Sequence, residues 1–466
     1  MKLRSTALSL SLVAVVALAS PATARNVFDD ATTTADGYHT YDSDQIDIEH
    51  LTQTGEGVYV AVLDTGLLPY WSEYFPEERV ATHLGAGFYQ TLTFKPGAAD
   101  ACEAVESARG PLRQTNWVSA RGSSHGTHVA STILGYSYDS SADDAEGYPL
   151  PPIQVRGIAP DVTVIPVKVL ADYTIPRLKG CDDPSQQVVF GTDEMVAAGI
   201  DYVTDLKESG ALGDAPVVIN MSLGGSELVG VEQDALDRAI VAGVIIVASA
   251  GNEGTEGMGF PGAYAPVISV GAAGWTGEWT EEPGEEPDNG FRYRLWWLKN
   301  EKGTPPAPGD LPLPAGSGEV AEGLGVVAET YVADFSSREL EGQQLDVLAP
   351  GSWVRGPFPG TPGYNHLPWW SSGQGGPGNY FYVGGTSMAA PHVSAVAALM
   401  LEDNPALTQA QVESALKDTA VDIPAGSRQV WDPFQAVPGW STISWAEDAT
   451  GEGLVQADEA VAAVTP

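Results

Sequence analysis

Residues 384–400, GGTSMAAPHVSAVAALM, pass from two glycines and a serine directly into an apolar, helix-forming run. A serine at such a junction has two uses. Its hydroxyl can cap the unpaired N–H groups of the first helical turn, the ordinary fate of Gly-Thr-Ser before an apolar helix. Presented at the positive end of the helix dipole, Ser387 can instead act as a nucleophile. The second use needs a base, and a histidine base needs a carboxylate to fix its tautomer. VAVLDTG places Asp64 at the carboxyl end of an apolar strand, where a carboxylate is desolvated and aimed. SSHGTHVA places His125 at a helix start, with a glycine beside it that lets a partner approach. VASAGNEG ends a strand with Asn252 after a glycine. That side-chain amide can donate to a carbonyl oxygen becoming negative, a contribution of about 3 kcal/mol in such sites. NMSLGG, with Ser222, Leu223, Gly224 and Gly225, leaves a strand with little bulk, so an extended peptide can pair there as an added strand.

Each residue has a plainer reading. Asp64-Thr65-Gly66 also matches the aspartic protease motif, but that mechanism needs two such carboxylates and no second DTG or DSG is present. His125 and His128 lie three apart on one helical face, yet no nearby Cys, His or Glu set completes a zinc site. His128 and His392 are expected to be structural. Asn beside Gly is the usual composition of a turn.

The elements that must position these residues alternate. GVYVAVLDTG, DVTVIPVKVL, APVVINMSLGG and GVIIVASAGNEG read as buried strands; HGTHVASTILG, TDEMVAAGIDYVTDLKESG and VEQDALDRAIVAG read as helices. Such alternation predicts an α/β fold with a mostly parallel sheet, and ligands sit beyond the carboxyl ends of its strands. Four stretches near 85–120, 136–155, 275–332 and 352–380, rich in Gly, Pro, acids and aromatics, read as insertions. GEGLVQADEAVAAV near the end is expected to dock as a short helix.

VAVLDTG, HGTHVA, VINMSLGG, ASAGNEG and GTSMAAPHV, in the order Asp, His, Ser, resemble the signature blocks of the subtilisin-like serine proteases over about residues 47–460. The resemblance implies a three-layer fold, a mostly parallel central sheet with helices on both faces. It implies that Asp64 orients, His125 is general base and acid, Ser387 attacks, and Asn252 with the Ser387 backbone N–H forms an oxyanion hole. It also implies that Ser222 to Gly225, Ser249, Ala250, Gly251 and Gly259 line the pocket for the residue before the scissile bond. Glycine walls leave room for a large apolar or aromatic side chain. The chemistry needs no cofactor. Structural calcium is common in the family, but no ligand set is assigned, and acidic loops such as DSSADDAEG are no more than candidates. Two alternatives stay open: a narrow processing peptidase, and a non-catalytic peptide-binding protein of the same fold.

Composition sets the remaining bounds. The 466 residues, 43% hydrophobic and 18% charged, suffice for a large core. Sixty-one acidic against 22 basic residues give a net charge of −39, which argues against nucleic acid or anionic lipid as partners. Protein or peptide substrates are the expected partners, and oligomeric state is left open. A basic start, an apolar run from Leu8 to Ala19 and Ala22-Thr23-Ala24 read as a signal peptide, residues 1–24, cleaved on export, with no membrane anchor left behind. Cys102 and Cys181 in an exported chain read most simply as one disulfide, with two free buried thiols as the alternative; a bridge would close a loop of about 80 residues worth roughly 4 kcal/mol in the chain-entropy model. Residues 25–46 read as a short polar arm ahead of a catalytic domain over 47–466. Family members are usually made with a folded pro-region, whereas this arm is too short to build a core, so folding without one is expected.

Overall fold

The computed structural model describes residues 33–34, 37–38, 40–48, 51–97, 104–118, 123–138, 153–176, 185–276, 325–358, 366–371, 379–432 and 439–465. The signal peptide, Cys102, Cys181, the stretch DSSADDAEG and most of the 275–332 insertion lie outside them.

The elements that frame the site begin with β1 (Tyr59–Asp64), β2 (Ala86–Tyr89), β3 (Arg113–Thr115), α1 (Ser123–Leu134), β4 (Thr163–Lys168), α2 (Asp193–Glu208), β5 (Val217–Met221) and β6 (Ile245–Ser249). A third helix, α3 (Gly230–Val241), falls between β5 and β6. Then come β7 (Ile268–Trp275), β8 (Thr330–Val332), β9 (Val347–Pro350) and the helices α4 (Thr386–Asp403), α5 (Gln409–Asp418) and α6 (Ala457–Val464). Among the described residues the central sheet has nine strands in the order β8-β7-β6-β5-β1-β4-β2-β3, with β9 also on β7. All pairings are parallel except β7 with β8 and β2 with β3 at the two edges. The stretch 85–120 thus supplies the edge strand β3 and its neighbour β2, as well as an outlying hairpin.

Side chains alternate across a strand, and β1 shows how that builds three layers. Val60 and Val62 join one buried cluster with Val129, Ile133, Val393 and Val396 from α1 and α4. Ala61 and Leu63 join the other, with Ile200 and Val203 of α2 and Leu236 of α3. Helix α4 is buried along nearly its whole length, which explains why its sequence is apolar on all sides rather than striped. Helix α6 docks on α4, as the terminal apolar run predicts.

The described end of the N-terminal arm is not a free tail. Tyr41–Asp44 forms a one-turn helix that is buried throughout, and Ala457 N–H of α6 donates to the Ile46 carbonyl at 2.8 Å.

Candidate functional site

β1 delivers Asp64 to the carboxyl edge of the sheet, where it is fully buried. Its Oδ1 accepts from the Thr65 N–H at 2.6 Å, and His125 Nδ1 lies 2.9 Å from Oδ1 and 2.8 Å from Oδ2. A carboxylate can only accept here, so the proton sits on Nδ1, leaving Nε2 as the nitrogen able to take one. Desolvation of the ring pushes its pKa down, but the charge and hydrogen bond of Asp64 outweigh that and hold it above the ordinary imidazole value. The start of α1 is stitched to the chain after Asp64: Gly126 N–H donates to Thr65 Oγ1 at 3.0 Å and Leu68 N–H to Thr127 Oγ1 at 2.9 Å. This approach needs Gly126. A Cβ there would lie 2.5 Å from the Gly66 carbonyl oxygen and 3.1 Å from Asp64 Oδ1.

Ser387 is the second residue of α4, which packs against α1. Pro391 stands four residues on and lacks an N–H, so the Ser387 carbonyl loses its helical donor. The Ser222 hydroxyl replaces it at 2.7 Å, Asn220 Nδ2 donates to Ser222 Oγ at 3.0 Å, and Ser394 Oγ donates to Asn220 Oδ1 at 2.8 Å. Thus α4 is tied to β5 at Ser387 and again two turns later. The Ser387 hydroxyl donates to the Ser222 carbonyl at 3.3 Å.

Asn252 follows β6. Its Oδ1 accepts from the Thr386 N–H at 2.9 Å and the Thr386 hydroxyl at 3.1 Å, which fixes the amide so that Nδ2 points elsewhere as a donor. The position a Gly385 side chain would occupy is 3.8 Å from Asn252 Nδ2, from Asn252 Oδ1 and from the Ser387 nitrogen, so the amide and the Ser387 N–H both lie beside Gly385.

The other expected residues also converge. Gly225 and Phe260 exchange backbone hydrogen bonds at 2.7 and 2.8 Å, Gly259 N–H donates to the Ala250 carbonyl at 2.9 Å, and Ser249 Oγ donates to the Leu223 carbonyl at 3.3 Å. A Cβ on Gly225 would meet nothing within 4 Å, and one on Gly224 only the Phe260 carbonyl at 3.5 Å. Gly251 has φ +107°, a conformation that suits glycine. Ser222 alone among them does something different: its side chain is buried and spent on Ser387.

His128 is buried with Nε2 3.1 Å from the Val354 carbonyl, and burial, with the His125 charge, pushes it down to about 3, so it is a neutral structural ring. Among the described residues no group of three or more His, Cys, Asp or Glu is placed to hold a metal ion. Asn220, Thr386 and Ser394 were not singled out by sequence. Asn220 had a signal, being a polar residue two before Ser222 in a strand otherwise apolar on both faces.

The family model for the subtilases matches residues 55–440. The chain belongs to the subtilase family. It is similar to subtilisin E of Bacillus subtilis (strain 168), 27% identical over 371 residues that cover 79% of this chain and 61% of that relative. It is 28% identical over 371 residues to the subtilisin of Bacillus pumilus, covering 79% of this subtilase and 85% of the relative. This subtilase therefore spans less than two thirds of the length of subtilisin E. Among solved structures, the psychrophilic protease S41 superposes with a TM-score of 0.50 at 22% identity, over 91% of this chain and 99% of its own, which supports the shared fold.

Proposed function

We infer that this subtilase is an exported serine endopeptidase. Ser387 Oγ attacks the scissile carbonyl carbon while its proton passes to His125 Nε2, and Asp64 holds the ring through Nδ1 and stabilises the imidazolium that forms. Asn252 Nδ2 and the Ser387 N–H donate to the oxygen that becomes negative. The tetrahedral intermediate collapses, the leaving amine takes the proton from His125, and water repeats the sequence to release the acid from the acyl-enzyme. No cofactor enters. The open wall at Gly224 and Gly225 favours a large apolar or aromatic residue before the scissile bond. The apolar N-terminal stretch, with its Ala-Thr-Ala site, supports export and removal of residues 1–24.

The observation that carries this reading is the contact of His125 with the buried Asp64 beside a serine that opens a helix. Labelling with a fluorophosphonate, mapped by mass spectrometry, is expected to mark Ser387, and Ser387→Ala is expected to abolish hydrolysis without changing the thermal melt. Equal hydrolysis by the two proteins would overturn the mechanism. Sequencing the peptides cut from a proteome separates broad from narrow specificity.

A further inference from the structure

The one-turn helix Tyr41–Asp44 reads YDSD, yet all four residues are buried. Taking a carboxylate out of water costs several kcal/mol unless a charge and hydrogen bonds meet it. For Asp42 the partner is His392 on α4: Asp42 Oδ2 lies 3.1 Å from His392 Nε2, and the ring is fully buried. The other nitrogen, Nδ1, lies 2.8 Å from the Met388 carbonyl. A carbonyl only accepts, so Nδ1 carries a proton and the ring is held from both sides. Met388 is the residue after Ser387. The basic side chains Arg355 and His128 also feel the Asp42 charge, as does the Tyr136 phenol. Burial pushes the Asp42 carboxyl up, but the hydrogen bond and charge of His392 outweigh it and hold the carboxyl below its ordinary value.

We propose that Asp42 is a positioning residue for the nucleophile: carried in by the N-terminal arm, it anchors His392 and thereby fixes the first turn of α4, on which Ser387 sits. The proposal rests on the reading of Ser387 as nucleophile. Its physical basis is that this turn is short of backbone restraints, because Pro391 removes the donor for the Ser387 carbonyl. Side chains hold it instead, with Ser222 at Ser387 and the His392–Asp42 pair at Met388. A nucleophile displaced by about 1 Å loses on the order of a hundredfold in rate. The docked arm is then part of the working site although it touches no substrate.

The test uses the full secreted chain with Asp42→Asn, His392→Gln and the double variant. Near-identical shape in Asp42→Asn isolates the loss of charge. For each protein kcat, KM, the fluorophosphonate labelling rate of Ser387 and the thermal melt are measured. Each single variant is expected to lower kcat and the labelling rate together by roughly tenfold to a hundredfold, with KM changed less than about twofold. The double variant is expected to be no worse than the poorer single one, since both break one connection. Unchanged kcat and labelling beside a lowered melting temperature would overturn the proposal, as would losses that multiply in the double variant. If neither single variant melts cooperatively, the pair serves stability alone and the proposal also falls. A wild-type protein that fluorophosphonate does not label would overturn the nucleophile reading itself, a result distinct from all of these.

Discussion

Asp64 acts on His125 both as an orienting group and as a charge, and the two effects separate in a pH profile. A general base must be neutral, so on the proposed reading of His125 kcat/KM is expected to fall as pH drops through the His125 pKa. Asp64 holds that pKa above the ordinary 6.5, so the acidic limb is expected above 6.5. Asp64→Asn removes the charge, so the limb should move to lower pH. The amide can also present its N–H to Nδ1 and turn the ring to the wrong tautomer, which lowers kcat by roughly 10⁴ in the triad this one resembles. A limb that stays in place in Asp64→Asn would show that another charge sets it. Asn252 makes a separable contribution. With Oδ1 held by Thr386, the amide is already oriented before substrate arrives. Asn252→Ala should therefore lower kcat about a hundredfold or more with little change in KM. A change confined to KM would make Asn252 a ground-state contact.

At the scale of elements, the sheet edge that gathers the site was readable and its bracing was not. β1, β4, β5 and β6 are runs of apolar and β-branched residues, and β1, β5 and β6 end in polar-glycine turns, so their existence and the location of Asp64, Ser222 and Asn252 at their ends follow from local pattern. Gly126 was legible as room for a partner, and the structure identifies the partner as the Gly66 carbonyl and Asp64. The strands β2 and β3 were not legible, because what makes them strands is pairing, β2 with β4 far along the chain and β3 with β2, rather than their own mixed composition. Nor was the burial of Asp42, whose polar segment earns its place through a histidine 350 residues away. The Ser222 bridge between β5 and α4 belongs to this class. Ser222→Ala leaves the Ser387 carbonyl without the hydroxyl that replaces its helical donor, so unfolding free energy should fall by about 1–3 kcal/mol. Because the same carbonyl fixes the backbone of the reacting residue, kcat should fall with it. Denaturant unfolding and steady-state kinetics on the same preparation test both, and a variant as stable as wild type would remove the bridge from the account.

The whole molecule carries 39 more negative than positive charges, and that imbalance governs how it answers to salt. Salt weakens attractive and repulsive pairs alike, so the sign depends on which predominate. The cluster at Arg238 is instructive, since one guanidinium meets Asp201 at 2.8 Å and Asp205 and Glu208 at 2.5 Å, leaving a local excess of negative charge even where charges pair. With 61 acidic and 22 basic residues, most carboxylates cannot have a cationic partner of their own. Raising NaCl from about 0.01 M to 1 M shortens the Debye length from about 30 Å to about 3 Å, which removes repulsion acting across the surface while contact pairs are screened much less. Folding concentrates these charges, so the relief favours the folded state. The melting temperature is therefore expected to rise over that range. The increment should shrink as pH is lowered through the carboxylate range, because protonation removes the charges that salt would otherwise screen. A melting temperature that falls with NaCl at neutral pH would mean that the few attractive pairs outweigh the many repulsive ones.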